Sequence, residues 1–363
     1  MKWKFWIGIL VSVVCLFLVF RGIEWGKVLV TIQSANYVYL SLAVLLNLST
    51  IWLRAERWKY LLEPIKPLTF SKLVPATMIG FMANNVLPAR AGEFIRAFLI
   101  GKQENIKKTA AFTTIVLERV CDMTTILLFL VVVVFTVKFP PPAETAELGP
   151  LAKLLTPAGL RAAGSVSALF VGGLIGFLFM LKQFPQIATA VIRTTIAPFS
   201  ERLGHKILDL VESFREGLHV LKTGTHLLYI VMWSLIVWLA GCTSGWMVLL
   251  AFGLKVPFLS SAFIMVLIAF AVAAPSSPGY VGVFHWAVKT GVLLFLPGVD
   301  DEVAIGVAII YHLVAILPIT LGGVFYLWKA QMSFADIRHM NEEEQAEAVL
   351  EEQVKSTVEP ADI

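Results

Sequence analysis

The chain has 363 residues, 58% of them hydrophobic and 15% charged, with a mean hydropathy of +0.81 and a formal net charge of +4. These values place it with integral membrane proteins rather than two-domain soluble ones, and so small a positive excess gives no argument for nucleic acid as a partner. Cys15, Cys121 and Cys242 all fall in apolar runs, without paired spacing or a histidine at ligand spacing, which argues against a disulfide framework and a zinc site; no metal or cofactor is expected.

Lys2 and Lys4 precede an apolar run that ends at Phe20. No small-residue cleavage site follows it, because Arg21-Gly22-Ile23-Glu24-Trp25 comes next, so a retained membrane anchor is expected. Runs able to cross a hydrocarbon core of ~30 Å as helices are 3–20, 37–53, 110–137, 165–181, 227–252 and 303–328. Two further apolar regions, about 71–101 and 258–296, are interrupted in the middle. In the first, Asn84-Asn85, Pro88 and Gly92 separate arms of about 12 and 9 residues, which reach only about half way across. In the second, Pro275, Pro278, Gly279 and Gly282 make the break. Pro88-x-x-x-Gly92-x-Phe94 and Pro278-x-x-x-Gly282-x-Phe284 are the same pattern, and broken segments in corresponding places of two halves are a sequence mark of a membrane translocation site.

Loop charge decides how the broken regions sit. If both are hairpins that leave on the side they enter, and the N-terminus is inside, the inner segments carry Arg54, Arg57, Lys59, Lys66 and Lys72, then Lys102, Lys107 and Lys108, then Lys182, Arg193, Arg202, Lys206, Arg215 and Lys222. The outer segments are poorer in cations, as the positive-inside tendency requires. The expected fold is therefore an all-α polytopic membrane protein with six full transmembrane helices plus two re-entrant helical hairpins in an inverted repeat, occupying residues 1–330 with both termini cytoplasmic. Residues 182–226 are expected to form interfacial amphipathic helices or else a solvated connector, and 331–363 an acidic, mobile cytosolic tail.

Charges at membrane depth are the candidate site. Arg90, Glu93 and Arg96 surround the first break, and the following span carries Glu118, Arg119 and Asp122. Arg119 lies eleven residues in from Lys108, about 16 Å along a helix and near the midplane. An ionised side chain there costs roughly 3 kcal/mol, so six must pair or line a wet cavity. Glu118 and Asp122 share a helix face, and a carboxylate pair facing Arg90 or Arg96 would satisfy both elements. Such a set is either a clasp holding the hairpin to its span or a headgroup site. Helix N-termini at Gly92 and Gly282, with unpaired N–H groups, and the planar fork of Arg90 suit a phosphate. Asn85 is expected to satisfy backbone freed at the break, and Arg54 and Arg57 to be snorkelling anchors or, less simply, headgroup contacts. Tyr311 and His312, mid-span, face the second hairpin as packing or functional groups.

Taken together, Arg54-x-x-Arg57-Trp58, Asn85-x-Leu87-Pro88-Ala89-Arg90-x-Gly92-Glu93-x-x-Arg96, Glu118-Arg119-x-x-Asp122 and Pro275-x-x-Pro278-Gly279-x-x-Gly282-x-Phe284 resemble the flippase-like, lysylphosphatidylglycerol synthase transmembrane-region family. In the multiple peptide resistance factors such a region is joined to a soluble aminoacyl transferase domain, which these residues do not contain. The resemblance implies a lipid-translocating module of a prokaryotic cytoplasmic membrane, acting on a phospholipid or a polyprenyl-phosphate lipid. It gives no support for lysyl transfer, and no Walker loop, nucleophile elbow or other catalytic motif is present. The rival expectations are a membrane-embedded lipid-modifying transferase, or a subunit working with a separate one, and a non-transporting scaffold.

Overall fold

The structure, a computed structural model, describes residues 2–87, 90–137, 139, 156–183, 224–273, 276–333 and 336. Regular structure among them is entirely helical: α1 (Lys2–Phe20), α2 (Trp25–Gln33), α3 (Tyr37–Leu62), α4 (Phe70–Val86), α5 (Gly92–Glu104), α6 (Lys108–Thr136), α7 (Pro157–Gln183), α8 (Gly224–Ala251), α9 (Phe258–Ala273), α10 (Val283–Phe295) and α11 (Asp301–Lys329), with a 3₁₀ turn at Pro278–Tyr280. Four described helices, Tyr37–Leu62, Lys108–Thr136, Thr225–Ala251 and Asp301–Lys329, are long and apolar enough to cross a membrane. The other two expected spans coincide with α1 and α7. Pro88 and Pro275, nearly all of 182–226, and most of the acidic tail lie outside the described residues.

Local chemistry explains where these helices begin and how they lock. The Asn36 side chain accepts from Val38 N at 3.0 Å and starts α3, while Asp301 and Glu302 in the first turn of α11 and Lys329 in its last complement the helix dipole. Pro318 inside α11 has no N–H for the carbonyl of Val314 four residues back. Asn47 of α3 supplies the missing donor, with Nδ2 2.7 Å from Val314 O and 3.0 Å from Ala315 O. One proline thus creates the polar seam that joins α3 to α11.

The structure corrects two of the expected boundaries. Helix α3 does not stop at residue 53 but continues to Leu62, carrying Arg54, Arg57 and a fully buried Trp58 inward rather than into an interfacial loop. The arms of the first broken region are also longer than expected, 17 and 13 residues, because Asn84 and Asn85 are the last turn of α4 and not part of the break. The second region has arms of 16 and 13 residues. At ~1.5 Å per residue, all four arms fall short of a ~30 Å core.

The same packing scheme occurs twice. Helix α3 packs on α4, α4 on α5 and α5 on α6; likewise α8 packs on α9, α9 on α10 and α10 on α11. Each set has its own buried core, one containing Trp58, Ile79, Ile95 and Ile115, the other Val248, Phe284, Val288 and Val307. Between them α3 meets α8, α4 meets α11 and α6 meets α9. Helices α3 and α8 run antiparallel along their whole length, since Asn36 N donates to Ala251 O at 2.8 Å, Ser244 Oγ to Ala43 O at 2.8 Å, and Arg57 to Ser234 Oγ at 3.0 Å.

Candidate functional site

The two breaks meet. Arg90, with φ of 55°, closes the first and donates from its guanidinium to Val272 O at the end of α9, 3.1 Å away. Asn85 Nδ2 donates to Thr320 Oγ1 of α11 at 3.0 Å, and His312 Nε2 donates to Gly279 O at 2.7 Å. A carbonyl only accepts, so His312 carries its proton on Nε2. Gly279 and Gly282 adopt φ of 71° and 93°, conformations that favour glycine, and a Cβ on Gly282 would lie 2.6 Å from Ser12 O of α1. Gly92 sits so close to α4 that a Cβ there would collide with Gly80 O. The expectation of open helix N-termini at these glycines is corrected: Gly92 N donates to Asn84 Oδ1 at 2.8 Å and Gly282 N to His285 Nδ1 at 3.4 Å.

Charged side chains form a network next to the first break. Glu118, fully buried, accepts a two-pronged contact from Arg96 at 2.7 and 3.1 Å and also pairs with Arg57 at 3.2 Å and with Arg119. Asp122, one turn on, pairs with Arg57 at 2.7 Å, Arg119 at 3.1 Å and Arg54 at 3.3 Å, and accepts from Trp238 Nε1 at 2.9 Å. The Arg96 guanidinium lies over the Trp58 ring, 3.7 Å from its centroid, and the Trp58 indole donates to Thr114 Oγ1. Each buried carboxylate thus has three guanidinium partners, the condition under which charges persist away from water.

Sequence reasoning places Arg96, Glu118, Arg119 and Asp122 together, and the structure does the same. Arg90 stands apart at the hairpin tip, and Arg54 and Arg57 are not snorkelling anchors: the Arg57 side chain is fully buried in the network and Arg54 packs over Phe81 with Asp122 as its ion partner. The balance changes with them. Among the described residues Arg54, Arg57, Arg96 and Arg119 face Glu93, Glu118 and Asp122 alone, with Glu93 at the edge, 3.8 Å from Arg119. Arg90, Glu93, Arg96, Glu118, Arg119 and Asp122, the six charges expected from sequence, balance three against three, but with Arg54 and Arg57 included the network among the described residues carries one excess positive charge, and Arg90 adds another. Donors are in excess too, since the Nε atoms of Arg57, Arg96 and Arg119 have no hydrogen-bond acceptor among the described residues.

Exposure grades the cluster. Arg57 and Arg96 are sealed, whereas the Arg119 side chain is 30% exposed and Glu93 21%. Arg119 reaches Glu93 of the first hairpin at 3.8 Å, and Arg90 reaches the second at Val272 O. Tyr311 is buried against Phe284, and the His312 and His285 rings lie 4.7 Å apart between centroids, tilted by 39°. Sequence reasoning misses His285, Trp238 and Ser234; a histidine one turn after Gly282 is the available hint for the first, and nothing local marks the others.

Comparison with known proteins is decisive at the level of family. Residues 5–323 match the family described as lysylphosphatidylglycerol synthase TM region. The chain belongs to that family. It is a multi-pass membrane protein, and three archaeal relatives place it further. A UPF0104 membrane protein of Methanothermobacter thermautotrophicus is 23% identical over 334 residues, covering 89% of this chain and 95% of the relative. Glycosyltransferase AglD of Haloferax volcanii is 25% identical over 339 residues, 87% of this chain but 53% of that protein. A UPF0104 membrane protein of Methanocaldococcus jannaschii is 27% identical over 129 residues, 35% of this chain and 38% of the relative. The chain therefore spans only about half, or less, of two of these relatives.

Proposed function

We propose that the protein is a lipid translocase of a prokaryotic cytoplasmic membrane, moving a phospholipid or a polyprenyl-phosphate lipid between leaflets. The observation that carries this reading is the excess of guanidinium groups at the junction of the two hairpins, with Arg119 and Arg90 reachable from outside the sealed part of the network. A planar five-donor fork matches a phosphate, and Glu93 offers a carboxylate to a cationic headgroup on the same lipid. In this reading the breaks are the tips of re-entrant hairpins, the antiparallel α3–α8 pair lies on the pseudo-twofold axis of an inverted repeat, and six helices cross fully, with both termini cytoplasmic. The lipid tails stay in the bilayer while the headgroup passes the arginines. The chain does no chemistry on the lipid.

Reconstitution into vesicles with labelled phospholipids and labelled polyprenyl phosphates tests it: leaflet exchange faster than in protein-free vesicles for at least one lipid, and loss of that gain in Arg119→Gln, are expected. A second reading, a lipid-modifying transferase subunit, is favoured by the name of the Haloferax volcanii relative. It requires a lipid species that is missing when the protein is deleted. Translocation alone leaves the lipid species unchanged and alters only their leaflet.

A further inference from the structure

An apolar groove of about 640 Å³ runs between α6, α7 and α9 beside the charged network. Met123, Leu127 and Leu130 line it from α6, Ala163 from α7, and Phe263 and Phe270 from α9. The α6 residues are spaced i, i+4, i+7, and the residue one turn before them on the same stripe is Arg119. On the opposite wall Phe270 lies two residues before Val272, whose carbonyl receives Arg90. Helices α6 and α9 are antiparallel here, because Phe139, just beyond α6, packs on Phe263 near the start of α9. One end of the groove, at Met123 and Phe270, therefore lies one turn from Arg119 on α6 and two residues from the Val272 carbonyl that receives Arg90, and the other ends among Leu130, Leu160 and Phe263.

We infer that this groove holds one hydrocarbon chain of the lipid whose phosphate is bound by Arg119 and Arg90. The inference rests on the translocase reading and adds where the tail lies. Its length fits: from Arg119 to Leu130 is about 16 Å along the helix, roughly half of a ~30 Å core and so the reach of a chain within one leaflet. Its chemistry fits as well, since side chains other than Ser167 lining the groove are hydrocarbon, aromatic or thioether. With both termini cytoplasmic, the chain points from the midplane toward the outer face, the orientation of an inner-leaflet lipid raised by half a bilayer. A headgroup held at Arg119 is thus carried by a lipid that entered from the cytoplasmic side.

The test compares binding of dioleoyl and dihexanoyl phosphatidylglycerol to the detergent-purified protein. The wild type should bind the long-chain lipid at least tenfold more tightly. Ala163→Trp, and independently Val166→Trp from the same wall, should cut that advantage to threefold or less without weakening the short-chain probe. Ala168→Trp, at an exposed α7 position that does not line the groove, should match the wild type. If both groove variants keep the full advantage, or if the wild type binds the two probes equally, the tail lies elsewhere and the inference fails while the phosphate reading stands. If neither probe binds the wild type and leaflet exchange is also absent, the translocase reading fails and the inference with it.

Discussion

Arg57 and Arg119 share both carboxylates of the network but differ in their access to solvent, and this sets what each contributes. Arg57 is fully buried and holds both Glu118 and Asp122, so removing its charge takes one of three partners from each carboxylate at a sealed position where water does not replace it. Breaking a buried pair of this kind costs about 3–5 kcal/mol. Arg57→Gln should therefore lower the melting temperature in detergent sharply and reduce the yield of monodisperse protein. Losing Arg119 also takes one of three partners from each carboxylate, but its side chain is 30% exposed at the rim, where its place is open to a replacing group. Arg119→Gln should leave the melting temperature close to wild type and lose bound phospholipid instead. If both variants unfold equally, the network is only a clasp. Arg96→Lys belongs with Arg57: a lysine keeps the charge but not the two-pronged contact to Glu118 or the guanidinium contact over the Trp58 ring, and it should destabilise despite being conservative.

At the scale of helices, the breaks and the carboxylate spacing are legible in the sequence because they are local. Several Pro and Gly close together favour a helix break, whereas a lone Pro318 is carried inside a helix, and residues four apart share a face in any α-helix. The continuation of α3 is not legible: an apolar run ending in Arg-x-x-Arg-Trp looks alike whether the helix leaves the membrane there or turns its arginines inward. Only the partner decides, and Asp122 is 68 residues from Arg54 in sequence. Short α2 escapes notice for a related reason, since it is stabilised by docking on α11, where Gly306 admits Thr31 and Ile32. Gly92 makes the local argument measurable. A Cβ there meets backbone on Gly80 and so cannot be relieved by a rotamer change, whereas Gly172 of α7 has nothing within 4 Å. Gly92→Ala should destabilise the protein by roughly 1–3 kcal/mol as overpacking does. Gly172→Ala should be neutral or stabilise by up to about 1 kcal/mol, the helix-propensity difference. Thermal unfolding of the two variants in the same detergent separates them.

For the whole molecule, the two sets of helices are alike in packing and unlike in chemistry. The set containing α3 to α6 holds the arginine–carboxylate network, and the corresponding places in α8 to α11 hold Phe284, His285, Tyr311 and His312. A headgroup passing from one face to the other would leave a cationic site and cross an uncharged, aromatic one, so release on that side meets no second trap. Between the two lies a junction bridged by Arg90 on Val272 O, Asn85 on Thr320 and the approach of Gly279 to Asn85 O at 3.5 Å from its Cβ position. In the translocase reading, a headgroup that travels between the tips must break these contacts, so the tips have to part. With the native Cys15, Cys121 and Cys242 replaced by alanine, cysteines at 90 and 272 joined by a cleavable bifunctional thiol reagent should reduce leaflet exchange to the protein-free rate, and cleaving the bridge should restore it. Because Arg90 is itself proposed to touch the phosphate, the comparison is made on one preparation before bridging, after it and after cleavage. Exchange that continues at the unbridged rate with the tips tied would mean that the lipid does not travel between the hairpins.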